Sequence, residues 1–154
     1  MKRRIDKMRE PNTQVNWEYR TLLLIWAGLL SVGPMLLLVI YLTQPEIFEF
    51  DHSQPFIGER YIIVPVAVLL TIWDLFLSYY RHKNYLRQSI TDKNPELVRT
   101  ALITACSRTV GISLYGFFLA WIFEYQYFFI WVLLGCAATI FYYPRRSALL
   151  AAQI

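Results

Sequence analysis

Four long apolar runs divide the chain. Thr21 to Leu42 carries no charge, Tyr61 to Tyr80 carries one (Asp74), Thr100 to Phe123 carries one (Arg108), and Tyr127 to Tyr143 carries none. A helix rises 1.5 Å per residue, so about 17–25 apolar residues cover the roughly 30 Å hydrocarbon core of a bilayer. A soluble domain of 154 residues has nowhere to bury four such runs. Its charged share would also be about 25%, whereas here 17% of residues are charged and 56% are apolar. The expected fold is therefore all-α. It is a polytopic membrane protein whose four transmembrane helices form an antiparallel bundle, in one domain over residues 1–154. Residues 1–20 are expected to form a basic cytosolic arm, residues 21–42, 61–80, 100–123 and 127–143 the spans, and residues 144–154 a cytosolic tail. The first run is long enough to span, and no small-residue cleavage site follows it, so it reads as an uncleaved span.

The connections refine this picture. Gly33-Pro34 lies near the middle of the first run, where proline removes a backbone bond and predicts a kink. Pro65 falls in the first turns of the second. Asn94-Pro95-Glu96 makes a helix start ahead of the third run, with Asn as cap, Pro in the first turn and an acid at the positive dipole end. Glu124-Tyr125-Gln126 is so short a connection that the last two spans must form an antiparallel hairpin. Pro144 ends the fourth.

Lysine and arginine in short loops set orientation. The arm carries Lys2, Arg3, Arg4, Lys7, Arg9 and Arg20. The second connection carries Arg81, Lys83, Arg87, Lys93 and Arg99, and the tail adds Arg145 and Arg146. The opposite side has Arg60 alone, beside Glu46, Glu49, Asp51, Glu59 and Glu124. This bias predicts both ends on the cytoplasmic side. Aromatics mark the edges: Trp121, Phe123, Tyr125, Tyr127, Phe128 and Phe129 at the outer end of the hairpin, and Tyr79, Tyr80, Tyr142 and Tyr143 at the inner one.

Two ionisable residues fall within spans. A charge near the bilayer centre costs on the order of 3 kcal/mol or more, so it faces the bundle and finds a partner. Asp74 precedes the inner end of its span by six residues, and Arg108 follows Arg99 by nine. Both therefore lie roughly 9–13 Å deep from the same side, on consecutive antiparallel spans. The spacing predicts an intramembrane ion pair between them. A polar stripe runs beside Asp74: Thr71, Ser78 and Arg81, in line with Ala67. The third span has its own small-residue stripe, Ala105, Thr109, Ser113, Gly116 and Ala120, which lets helix backbones approach closely. Arg108 stands beside that stripe, on the side of Thr104, Gly111 and Tyr115. Such a pair either pins two helices in register or serves an ion or proton path.

Other chemistry lacks its residues. His52 and His82 fall on opposite faces and cannot jointly hold a haem or metal. Cys106 and Cys136 sit singly in apolar runs rather than in the close spacing of a zinc site or disulfide framework. No phosphate-binding glycine loop, Ser-His-Asp set or paired carboxylates within one span is present. No cofactor and no enzymatic activity are expected. The net charge of +4 is accounted for by topology, so nucleic acid is not an expected partner. The basic arm either enforces orientation or also attracts anionic lipid heads.

Ser107-Arg108-Thr109-Val110-Gly111-Ile112 resembles the carboxylate-bearing helix of rotary ATPase proteolipid (c) subunits. Arg20-Thr21-Leu22 leading to Trp26, the hairpin, and Tyr143-Pro144-Arg145 resemble uncharacterised bacterial four-span membrane proteins. Together these cover about half the chain. The first resemblance implies a helical hairpin that packs against other helices. It does not carry ion translocation with it, because Arg108 stands where the ion-carrying acid belongs, and a guanidinium keeps its proton at neutral pH. Tyr115-Gly116 also falls out of step with the proteolipid pattern in that register. The second resemblance implies a bacterial inner membrane.

The expectation is thus a small non-catalytic membrane protein, an accessory or assembly subunit that meets the lipid bilayer and other membrane subunits or its own copies. The competing expectation is an oligomeric small transporter or channel with Asp74 in its pathway.

Overall fold

A computed structural model describes residues 2–49 and 62–152, with side chains described from Val15 onward. The outer-connection residues Asp51, His52, Pro55, Glu59, Arg60 and Tyr61 lie outside the described residues, as do the side chains of Lys2, Arg3, Arg4, Lys7 and Arg9. The described residues are helical, without strands. Helix α1 is Lys2–Thr43, α2 Ile63–Thr91, α3 Glu96–Phe123, α4 Phe129–Phe141 and α5 Arg146–Ala151, with short 3₁₀ turns at Pro45–Phe48 and Gln126–Phe128. Three stretches are long and apolar enough to cross a membrane, Val15–Thr43, Ile63–Thr91 and Glu96–Phe123, and Gln126–Phe141 is a shorter apolar one.

The helix ends follow from local chemistry. Pro65 sits in the first turn of α2, where its missing N–H would have no helical partner anyway. Asn94 caps α3 as its sequence position predicts: its side-chain oxygen accepts the Glu96 N–H at 3.0 Å. Lys93, between α2 and α3, is left-handed (φ 49°), and the Asn94 N–H closes back on the Ser89 carbonyl at 3.1 Å. Glu124 ends α3 in the same way, with φ 51° and ψ 37°. A side chain in this conformation costs roughly 1–2 kcal/mol, which glycine largely avoids. Glu124→Gly is therefore expected to stabilise the protein by up to about 1 kcal/mol, seen as a raised Tm in detergent.

Helix pairs run antiparallel. Between α2 and α3, Asp74 meets Arg108 and Ser78 meets Ala105. Between α3 and α4, Thr109 meets Thr139, and Ser113 reaches the Val132 carbonyl. Between α1 and α4, Trp26 bonds the Thr139 carbonyl, while Tyr19 bonds Tyr143. In each pair one number rises as the other falls. Helix α3 touches α1, α2 and α4. Of its most apolar stretch 44% is buried, against 11% in α1 and 22% in α2, so α3 is the centre of the bundle.

The structure adds detail to several expectations. The residues expected in a basic cytosolic arm, 1–20, lie on the same helix as the first apolar run, since α1 begins at Lys2, and Val15 is 1% exposed. Helix α1 is continuous through Gly33-Pro34. The observed role of Gly33 is close approach, since a Cβ there would fall on Cys136 Sγ. Within the expected tail, α5 docks Leu149 and Ala152 into a core with Val15 and Leu22. Helix α4 stops at Phe141, as Pro144 disfavours helix before it. The N–H groups of Tyr142 and Tyr143 then bond three residues back, to Thr139 and Ile140. Finally, Tyr125 and Phe128 are each 1% exposed. They close the end of the core against Trp131 and Phe48.

Candidate functional site

Two apolar clusters fill the ends of the bundle. One is built on Ile40, Val64, Ile112, Leu119, Phe128 and Trp131, the other on Leu22, Val98, Leu102, Cys106 and Tyr142. Along α3, Arg108 and Thr109 fall between the two, and a polar layer sits there.

Its charged half joins α2 to α3. Arg108 Nη1 donates to Asp74 Oδ1 at 2.8 Å, and the Tyr115 hydroxyl donates to Asp74 Oδ2 at 2.6 Å. Both lengths are those of charge-assisted hydrogen bonds. The side chains are mostly covered, Arg108 at 25% and Asp74 at 15% exposure. The geometry follows from helical spacing. Arg108 and Tyr115 are seven residues apart, two turns on one face of α3, so both reach the same carboxylate. One carboxylate and one guanidinium sum to no net charge, and each carboxylate oxygen already accepts a donor. A group arranged so can enter a low-dielectric interior without stranding a charge.

The neutral half joins α3 to α4 and α4 to α1. Thr109 Oγ1 and Thr139 Oγ1 are 2.7 Å apart, Thr139 Oγ1 donates to the Gly135 carbonyl at 2.8 Å, and Trp26 Nε1 donates to the Thr139 carbonyl at 2.9 Å. The small-residue stripe Ala105, Thr109, Ser113, Gly116 and Ala120 is buried along its length. Thr109, Ser113 and Gly116 meet α4. A Cβ at Gly116 would lie 2.6 Å from the Phe128 carbonyl oxygen and 3.0 Å from Trp131 Cβ. The stripe is where α4 lies directly on α3.

The polar stripe of α2 divides. Ser78 is buried and donates to the Ala105 carbonyl at 3.2 Å. Thr71 is buried, donates to the Ala67 carbonyl at 2.7 Å and accepts from Trp131 Nε1 at 3.1 Å. Arg81 is exposed and lies away from the charged centre that its spacing shares. Interhelical hydrogen bonds in membrane proteins average about 0.6 kcal/mol and reach about 1.7. Thr71→Val keeps the shape and removes the hydroxyl, so it is expected to lower stability by about 1 kcal/mol in an SDS unfolding titration.

Sequence reasoning placed Tyr115 beside Arg108 but did not assign it to Asp74. The seven-residue interval was the available signal. It also missed Trp26 and Trp131, whose indole N–H groups tie α1 and α2 to α4, and the Gly135/Thr139 face of α4. A glycine four residues before a threonine is the same close-approach pattern that marked α3.

Cys106 is buried and Cys136 half-buried, both as free thiols. Among the described residues, no group of three or more His, Cys, Asp or Glu side chains is placed to hold a metal ion. The chain matches no family model, no curated protein and no solved structure.

Proposed function

We propose that the protein is a multi-pass membrane protein of the bacterial inner membrane, with four crossings and both ends cytoplasmic. It acts without catalysis, as an accessory or assembly subunit that packs against other membrane subunits or its own copies. The observation that carries this reading is the Asp74–Arg108–Tyr115 centre. The ionisable groups expected within the spans are engaged with each other and with a phenol, an arrangement that fixes α2 on α3.

The outer surface supplies the complement. Along α2, Leu69, Trp73, Phe76 and Tyr80 are all more than half exposed, on a helix whose other face is fastened to α3. In a bilayer such a face meets acyl chains or another helix. Helix α4 supports an assembled state. Its 13 residues span about 20 Å, short of the roughly 30 Å core even with the preceding 3₁₀ turn. Mismatch of this kind is relieved by local thinning or by association.

Purification from its native membrane in mild detergent is expected to recover the protein with other membrane subunits or as a defined homo-oligomer. A lone monomer throughout would oppose the assembly reading. Reconstitution separates it from transport: a pathway through Asp74 requires flux in liposomes that Asp74→Asn abolishes, and the assembly reading predicts none in the parent protein.

A further inference from the structure

A cleft of about 330 Å³, whose lining includes none of Asp74, Arg108 and Tyr115, lies between α1, α2, α3 and α4 beside α5. Each long helix contributes an apolar wall: Leu22, Leu86, Val98 and Phe141. Lys83 and Arg145 add two cations, and among the described residues no carboxylate lines it. The surrounding groups are held in place. His82 packs edge-on against Tyr142 at 4.9 Å, with Nδ1 3.4 Å from the Ala101 carbonyl oxygen. The Tyr19 and Tyr143 hydroxyls are bonded at 3.1 Å. Lys83 Nζ lies 5.9 Å from the Tyr79 ring centroid, within reach of a cation–π attraction that keeps the ammonium near the cleft.

Apolar walls with two cations complement an amphiphile with an anionic head and a hydrocarbon tail. The volume is at the lower end of the roughly 300–1,000 Å³ of ligand clefts. It suits a headgroup and the start of one chain rather than a whole two-tailed lipid. Phe141 is 74% exposed, so the cleft opens at the bundle surface, where the remainder of a lipid would lie. We propose that this cleft holds an anionic phospholipid, with its phosphate at Lys83 and Arg145 and the start of an acyl chain along Leu22, Val98 and Phe141. The proposal rests on the membrane reading above, which puts this end of the bundle at the cytoplasmic face. Basic pockets between transmembrane helices on that side are suited to anionic lipid heads.

The test measures binding of phosphatidylglycerol, phosphatidylcholine and inorganic phosphate to the full chain in detergent micelles, by native mass spectrometry and thermal shift. Phosphatidylglycerol is expected to bind and stabilise, phosphatidylcholine to bind at least tenfold more weakly, and inorganic phosphate to leave Tm unchanged. Lys83→Gln with Arg145→Gln should weaken phosphatidylglycerol binding at least tenfold. The charge-keeping pair Lys83→Arg with Arg145→Lys should retain it. So should Arg87→Gln with Lys93→Gln, exposed cations outside the cleft. Equal losses in the two charge-removing pairs would reduce the effect to diffuse surface attraction and overturn the proposal. Equal binding of phosphatidylcholine would overturn it, and saturation by phosphate alone would make the site a free-anion site instead. Alkaline carbonate washing tests the other claim separately: release from membranes would remove the membrane reading, whereas retention with an unchanged Lys83/Arg145 variant would remove the cleft alone.

Discussion

Asp74→Ala is expected to destabilise the folded bundle by about 3 kcal/mol, the lower part of the range for stranding one partner of a buried ion pair. The lower part applies because Arg108 and Asp74 keep 25% and 15% of their side-chain surface exposed. The loss has two sources. Arg108 remains between two apolar clusters without its counter-charge, and the Tyr115 hydroxyl loses the acceptor it reaches at 2.6 Å. Hydrogen bonds to charged groups contribute about 1.5–3 kcal/mol each, so Tyr115→Phe alone should cost about 1.5 kcal/mol. Adding Arg108→Ala to Asp74→Ala removes the stranded charge, and the double variant should be more stable than the sum of the single losses by at least about 1 kcal/mol. Residues in direct contact show coupling of this size, while distant ones add. The check is a double-mutant cycle by SDS unfolding in detergent. Additive, small losses would mean that the two charges serve separate sites.

Gly135→Val is expected to cost 3 kcal/mol or more, about the upper limit for overpacking a well-filled core. Even a Cβ at this position would collide with Ser113 Oγ and lie 2.7 Å from the Thr109 carbonyl oxygen and 3.0 Å from the Ser113 nitrogen. The Ser113 hydroxyl can rotate away, but the backbone of α3 cannot. The two helices must separate, and the Thr109–Thr139 bond goes with them. The contrast lies on α3 and α1. Nothing stands within 4 Å of a Cβ built on Gly111 or Gly28. Alanine at either should therefore stabilise by about 0.5–1 kcal/mol, through helix propensity alone. Thermal unfolding of the three variants in one detergent separates a close-approach glycine from a merely tolerated one. A Gly135→Val protein as stable as the parent would mean that α4 does not lie on α3 at this point.

The long apolar helices were legible because each must be a long unbroken run to cross lipid. The Asp74–Arg108 contact was legible because charges in such runs are few and their depths could be compared. The small stripe of α3 was legible for a similar reason, since glycine, alanine, serine and threonine stand out among leucines and phenylalanines. Helix α4 was not legible in this way. Acyl chains are as apolar as leucine, so a span can be apolar on every side and carry no pattern telling its packed face from its exposed one. Gly135 and Thr139 are visible as the packed face once α3 is in place. The packing of Tyr125 and Phe128 was not legible either. Aromatics near a span end read as interfacial, and that pattern does not tell which of them are also buried in the core, as these two are. The continuation of α1 to Lys2 and the docking of α5 depend on contacts between the two chain ends, Val15 and Leu22 with Leu149 and Ala152, which no local window contains.

Four crossings with both ends cytoplasmic are tested most directly by cysteine accessibility in intact bacterial cells. With Cys106 and Cys136 replaced by alanine, single cysteines go in place of the exposed residues Glu46, Lys93, Glu124 and Arg146. A membrane-impermeant maleimide is then applied before and after the inner membrane is opened. Positions 46 and 124 should label in intact cells, and positions 93 and 146 only once the inner membrane is opened. Labelling of position 93 or 146 in intact cells, or protection of position 46 or 124, would contradict this topology.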